Sequence, residues 1–360
     1  MTNYNYNKNL IMKKVLIKFI GLVLLLTLII PTSYAGNKQR AGQAGAGELL
    51  INPWARSSGF GGANVACIKG FESIFVNVAG VALTHGTDLV FTRTNWLKGS
   101  DININAFGFS QKMGDSGVLS LAVMSMDFGE IPITTVELPD GGLGTFHPQY
   151  TNITLAFAKE FSNSIYGGFA IKVVNEGISN LSASGVALDA GIQYVTGARK
   201  QIHFGITMQN VGPTMKFTGD GMSFRGSTSE GPTMTIEQRS ADFELPSLIK
   251  IAFAYDIDIA TTHMITLAGN FTSNSFTKDQ INLGMQYSFK DILILRGGYV
   301  YEEGILDTDD RTTAYTGPTA GASVQIPFNK EKGQTFSIDY SYRPTDPFDG
   351  THSLGVKISL

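Results

Sequence analysis

Between residues 281 and 289 the chain alternates without a break. Ile281, Leu283, Met285, Tyr287 and Phe289 stand at one set of positions, and Asn282, Gly284, Gln286 and Ser288 at the other. The same period of two runs through Ile249 to Ile257, Phe336 to Tyr342 and Leu354 to Leu360. Side chains on a strand point to opposite faces in turn, so each stretch has one apolar face and one of small or polar residues. About fourteen such stretches of about ten residues are expected. They fall at 88–96, 102–111, 117–127, 151–161, 165–174, 185–194, 202–210, 247–257, 263–274, 279–289, 292–301, 313–326, 334–342 and 351–360.

The connections alternate in length. Those at 113–116, 162–164, 196–201, 258–262 and 290–291 are short, whereas 128–150, 211–246 and 302–312 are long. Outer-membrane barrels have short periplasmic turns and long outer loops, and an even strand number returns the chain to its starting side. A soluble sandwich shares the period but has no reason to obey that parity. The polar face carries only isolated charges (Asp189, Lys250, Asp256, Asp339, Lys357), and Trp96, Tyr194, Tyr255, Phe289, Tyr301 and Tyr342 gather near stretch ends, where interfacial aromatic girdles sit. The expected fold is all-β, a transmembrane antiparallel barrel of about fourteen strands over residues 88–360.

The amino-terminal part reads differently. Lys13, Lys14 and Lys18 precede an apolar run from Phe19 to Ile30, then Pro31 and Ser33-Tyr34-Ala35, the layout of a secretory signal cleaved after Ala35. Met12 is a candidate start, and the run is short for a membrane helix of about 20 apolar residues. Residues 1–35 are thus expected to be a signal peptide, with both ends of the mature barrel in the periplasm. Residues 36–87 do not alternate and include Gly59-Phe60-Gly61-Gly62-Ala63, small enough to pack inside a barrel. They are read as a luminal plug.

Charge and chemistry narrow the function. The chain has 27 Lys and Arg against 30 Asp and Glu, and Lys8, Lys13, Lys14 and Lys18 all lie in the signal. No basic groove for nucleic acid is expected. The single cysteine, Cys67, excludes an internal disulfide and a cysteine-based zinc cage. Gly114-Asp115-Ser116-Gly117 mimics a serine nucleophile's surroundings but falls in an expected turn, where these residues belong anyway. The five histidines lack metal-ligand spacing, and Asp307-Thr308-Asp309-Asp310 reads as a solvated acidic loop. No catalytic, cofactor-binding or metal-binding residue is assigned, and no enzyme activity is expected. Two outer loops are unusually apolar: Ile131, Ile133, Val136, Leu138, Leu143 and Phe146 in one, and Met215, Phe217, Met222 and Phe224 in the other. Exposed apolar patches mark contacts, so these ten residues are the expected partner-binding positions.

The stretch Asn52-Pro53-Trp54-Ala55-Arg56-Ser57-Ser58-Gly59-Phe60-Gly61-Gly62-Ala63-Asn64-Val65-Ala66 resembles the amino-terminal signature of the PorV/PorQ family. Phe75-Val76-Asn77-Val78-Ala79-Gly80-Val81 resembles its next element, and Val136-Glu137-Leu138-Pro139-Asp140-Gly141, Gln209-Asn210-Val211-Gly212-Pro213 and Leu245-Pro246 resemble later ones. Val78 replaces the family's proline, Phe60 its methionine, and Ile68-Lys69-Gly70 its acidic pair. Arg56, Gly59, Gly61, Gly62 and Asn77 carry the plug motif. The resemblance implies a FadL-like fourteen-stranded outer-membrane barrel with an amino-terminal plug, working in the type IX secretion system of Bacteroidota-like bacteria. Its implied partners are a large translocon barrel and the C-terminal signal domains of secreted cargo, besides membrane lipids and lipopolysaccharide. Other members of the family are subunits of other outer-membrane machines. The alternatives for this chain are an accessory subunit of another outer-membrane assembly complex and a FadL-like transporter of hydrophobic small molecules, the latter matched poorly by an inner face read as Thr, Ser, Gly, Asn, Gln and scattered charges.

Overall fold

The computed structural model describes residues 38–227, 231–329 and 333–360. The expected signal peptide lies outside the described residues. Eighteen strands are formed: Thr87–Trp96 (β1), Ile102–Lys112 (β2), Val118–Asp127 (β3), Ile131–Pro132 (β4), Thr145–Phe146 (β5), Gln149–Ser162 (β6), Ile165–Ile178 (β7), Leu181–Thr196 (β8), Ile202–Val211 (β9), Ser223–Ser227 (β10), Thr233–Glu237 (β11), Leu248–Ala260 (β12), His263–Asn274 (β13), Gln280–Phe289 (β14), Leu293–Glu302 (β15), Pro318–Asn329 (β16), Gln334–Arg343 (β17) and Thr351–Ser359 (β18). Fourteen of them close into an antiparallel barrel in which β1 pairs with β18, Asp88 opposite Ser359 through Asn95 opposite His352. The other four make two short hairpins, β4–β5 and β10–β11, inside the long loops, where no strand was expected.

Lipid offers the backbone no hydrogen-bond partner, so a strand can cross it only in a closed ladder. The outward faces are the apolar ones. Ile281, Leu283 and Met285 are exposed, while Asn282 and Ser288 between and beyond them are buried in the lumen. The barrel strands run within a few residues of the expected positions, apart from β16, which starts at Pro318 because 313–317 belongs to the preceding loop.

The inner face is not uniformly polar, contrary to the sequence reading. Across β2, β3, β6, β7 and β8 it carries Ile104, Met124, Met126, Ala156, Ala170, Val174 and Ala187, all buried in one apolar cluster. Around β13 to β18 it carries Thr272, Asn282, Ser323, Ser337, Asp339 and Ser353. The lumen is therefore amphipathic, half apolar wall and half polar wall.

Residues 38–86 run inside and across the ring. Arg40 and Ala44 meet Glu244 in the long loop before β12. Thr87, at the other extreme, exchanges both backbone hydrogen bonds with Leu360 at the short-turn end, 3.0 and 2.8 Å. The segment before β1 thus runs from the long-loop mouth to the short-turn end. An even strand number returns β18 to the start of β1, but the segment before β1 has already crossed the lumen.

The ladder is locally irregular between β8 and β9, where the register shifts between Leu188 and Ala190 and Asn210 adopts φ 60°. Asp189 turns inward there. Its Oδ1 accepts the Asn210 backbone N–H at 2.8 Å and its Oδ2 lies 2.7 Å from Lys172 Nζ, both side chains almost fully buried (2 % and 1 % exposed). Lys172 Nζ also donates to Asn210 Oδ1 at 2.8 Å. Removing one member of a buried pair strands the other charge. Lys172→Met should therefore lower stability by about 3–5 kcal/mol in urea unfolding from lipid vesicles, and Lys172→Met with Asp189→Leu by distinctly less.

Candidate functional site

The segment inside the barrel has little regular secondary structure, a series of short 3-10 turns and one helix, Ala55–Gly59 (α1). Buried irregular backbone must find partners for its carbonyls. Side-chain amides of the barrel wall supply them. Gln193 Nε2 donates to Val65 O and Ile68 O at 3.2 and 3.1 Å, and Gln209 Nε2 to Phe75 O and Val76 O at 3.1 and 3.2 Å. Asn270 Nδ2 donates to Gly62 O and Asn282 Nδ2 to Gly61 O, both at 2.7 Å. These four amides were not singled out from sequence. Their signal was available, since each sits on the polar face of an alternating stretch, but nothing local tells what they bond.

The plug-motif residues all contact the wall or organise the segment against it. Arg56, on α1, donates from Nε to Asp339 Oδ1 at 2.7 Å and from Nη2 to Ser337 Oγ at 2.6 Å, with Glu72 Oε1 3.7 Å away. Gly59 touches the wall backbone to backbone: a Cβ there would lie 2.8 Å from Gly321 Cα. Gly61 and Gly62 both take φ 66°, conformations that side chains disfavour. Asn77 caps the turn Val78–Leu83 by accepting Ala79 N–H and donates to Val65 O and Ile192 O at 3.0 and 3.1 Å. Trp54, fully buried, stands edge-on to Phe71 with ring centres 4.8 Å apart and packs the segment against the apolar wall.

Cavities of about 330 and 250 Å³ remain. The larger, towards the long loops, is lined by Leu49, Ile51, Leu248, Lys250, Glu302 and Arg343 among others. The smaller, towards the short turns, is lined by Arg56, Lys69, Glu72, Asp256 and Arg296 among others. Ser116 lies in the 3-10 turn Gly114–Ser116, outside both cavities, and buried His203 places Nε2 2.9 Å from Asp256 Oδ2. Among the described residues no group of three or more His, Cys, Asp or Glu is arranged to hold a metal ion.

The two loops separate the ten expected partner-binding residues. Ile131, Ile133, Val136, Leu138 and Leu143 are exposed, Val136 at 95 %, on and beyond the β4–β5 hairpin, with Phe146 half-buried. Phe224, on β10, is exposed and Met222 half-buried. Met215 and Phe217 lie beneath the loop surface. Met215 is buried (2 %), exchanges backbone hydrogen bonds with Phe243 and joins the apolar cluster under the loop, and Phe217 packs on the same cluster. An apolar residue in a long loop serves the loop's own packing as readily as a partner.

No family model and no curated protein sequence matches the chain, so the PorV/PorQ resemblance rests on the residues quoted for it. Solved structures do match in fold. The Pseudomonas putida toluene transporter TodX aligns over 86 % of this chain and 97 % of its own, at 10 % identity and a TM-score of 0.53. A Pseudomonas aeruginosa FadL homologue aligns over 85 % and 98 %, at 10 % identity and a TM-score of 0.52. A TodX variant described as a monoaromatic hydrocarbon channel aligns over 84 % and 96 %, at 11 % identity and 0.51. The fold is a FadL-like outer-membrane barrel of fourteen strands.

The carboxyl group of Glu72 is pushed up to about 7 by burial, against the pull of Arg56. Between the ordinary glutamate value of 4.5 and about 7 the folded chain keeps a proton that the unfolded chain has released. The docked segment therefore loses stability as pH rises through that window. Protection factors of the Phe71–Asn77 amides, hydrogen-exchange rates divided into the intrinsic rate at each pH, should be highest below pH 4.5 and fall towards 7, and Glu72→Gln should flatten that dependence.

Proposed function

We propose that this barrel carries no flux of its own and acts by docking other proteins on its outer face. The observation that supports it most is the apolar rim hairpin over residues 128–148 standing above a lumen occupied by the chain's own backbone. Val136, Leu138 and Leu143 offer an apolar tip to solvent, a feature that marks a contact surface. The PorV/PorQ resemblance narrows the reading to type IX secretion, with a translocon barrel and C-terminal signal domains of cargo as the bound proteins. Both chain ends of the membrane domain's ladder, Thr87 and Leu360, then lie on the periplasmic side, with the long loops outside.

A second reading is favoured by the named structural neighbours and by the apolar half of the lumen. In it the barrel passes small hydrophobic molecules, entering at the cavity lined by Leu49, Ile51 and Leu248. The packing of Trp54, Phe71, Ile74 and Phe75 against the apolar wall argues against it, because these side chains occupy the path such a molecule would take.

Affinity purification of the tagged barrel from gently solubilised native outer membranes separates the two. Stoichiometric recovery of other outer-membrane or secreted proteins is expected, falling at least tenfold, about 1.4 kcal/mol, for Val136→Asp with Leu138→Asp while the barrel stays folded. Recovery of the barrel alone, together with toluene or fatty-acid uptake into proteoliposomes, would move transport to the front.

A further inference from the structure

The described chain begins at the long-loop mouth, in the 3-10 turn Lys38–Arg40. Arg40 Nη2 pairs with Glu244 Oε1 at 2.5 Å, and its guanidinium lies 4.3 Å from the centre of the Phe276 ring. Ala44 forms a parallel bridge with Glu244, and Gly45 N–H donates to Glu244 O at 3.0 Å. Phe243 in turn exchanges backbone hydrogen bonds with Met215, 2.9 and 2.8 Å, and Thr218 with Ser182 of β8, both 2.9 Å. Single backbone bridges thus link the amino-terminal segment, Phe243–Glu244, Met215–Thr218 and β8 across the mouth, with the amino-terminal segment outermost. Phe243 sits directly on Gly45, where a Cβ would lie 2.2 Å from its ring.

At its amino-terminal end this segment is held at the surface, whereas Ala46 at its other end is buried in the apolar cluster. Its ion pair is exposed, 34 % for Arg40 and 54 % for Glu244, and such pairs are weak. What it covers is the backbone carbonyl of Glu244, a carboxylate and two aromatic rings, groups that can hold an extended peptide. We propose that the groove formed by Phe243, Glu244 and Phe276 is a docking site for an extended strand of a partner polypeptide, with the chain's own Arg40–Ala46 as its intramolecular occupant on the outer face. The occupant defines the ligand: an arginine for Glu244 and Phe276, a glycine at the spacing of Gly45 for Phe243, and parallel pairing with Glu244. The proposal rests on the protein-docking reading and deepens it.

The probe is a fluorescein-labelled peptide spanning residues 37–47, titrated into the full-length protein in lipid nanodiscs. The Arg40→Glu protein, its strap loosened, should bind it at least tenfold more tightly than the unaltered protein. Adding Glu244→Lys, which restores the internal pair with reversed charges, should return binding to the unaltered level. Should Arg40→Glu fold poorly, Gly45→Val, which drives the strap off Phe243, should open the groove equally. Absence of peptide binding to both variants, or binding indifferent to Glu244→Lys, overturns the proposal. So does Arg40→Cys, in a Cys67→Ser background, reacting with an impermeant maleimide only after cell lysis rather than in intact cells. Loss of peptide binding with partner capture through Val136 and Leu138 intact sinks the groove alone, whereas loss of that capture sinks the broader reading.

Discussion

In a bilayer every backbone N–H and C=O must be bonded within the protein, and that single constraint organises this molecule twice. On the outside it forces fourteen strands into one closed ladder, because an open edge would leave a row of bare amides in lipid. On the inside it returns in a new form. A ring of this size encloses a space that its side chains do not fill, and the segment before β1 occupies it with irregular backbone that has no ladder to join. Gln193, Gln209, Asn270 and Asn282 supply the missing donors, converting wall side chains into hydrogen-bond partners for carbonyls.

The amphipathic lumen gives that segment its orientation. Trp54, Phe71 and Ile74 pack on the apolar wall, while Arg56 reaches Asp339 and Ser337 on the polar wall. Burial of the aromatic side chains and pairing of the guanidinium favour one rotation of the segment, since turning it would set Arg56 against Met124 and Val174. Gly59 then fixes depth by meeting Gly321 with no side chain between, as wall glycines Gly205 and Gly298 do against Ala66 and Phe60. The plug motif is therefore a positioning device: a charged anchor, a point of backbone contact, two left-handed glycines and an asparagine cap.

The strands were legible because lipid imposes a strict period of two, and lipid-facing Phe, Ile and Leu announce themselves. The character of the inner face was less so. In β7, Phe169, Ile171 and Val173 face out, while Ala170, Lys172 and Val174 face in, and alanine reads equally well as small filler in a polar lumen or as part of an apolar wall. The path of the amino-terminal segment was not legible at all, because it depends on pairs such as Arg40 with Glu244 that are 204 residues apart. Loop burial failed for a related reason. Met215 and Val136 have similar sequence surroundings, and only the bridge from Met215 to Phe243 decides that one is core and the other is tip.

These features bear on function through what they leave free. Four inward amides of the wall already bond the chain's own carbonyls, its apolar half is covered by aromatic side chains, and the polar groups left open, Lys250, Glu302 and Arg343 among them, line the cavity towards the long loops. On the docking proposal, recognition falls to the apolar hairpin tip and the bridged segments at the mouth. The long loops are ordered by the same rule that closes the barrel, backbone pairing across Met215, Phe243 and Glu244, so they can present their exposed side chains in a fixed arrangement. On that proposal the ordered loops hold a partner while the chain's own segment occupies the lumen beneath them.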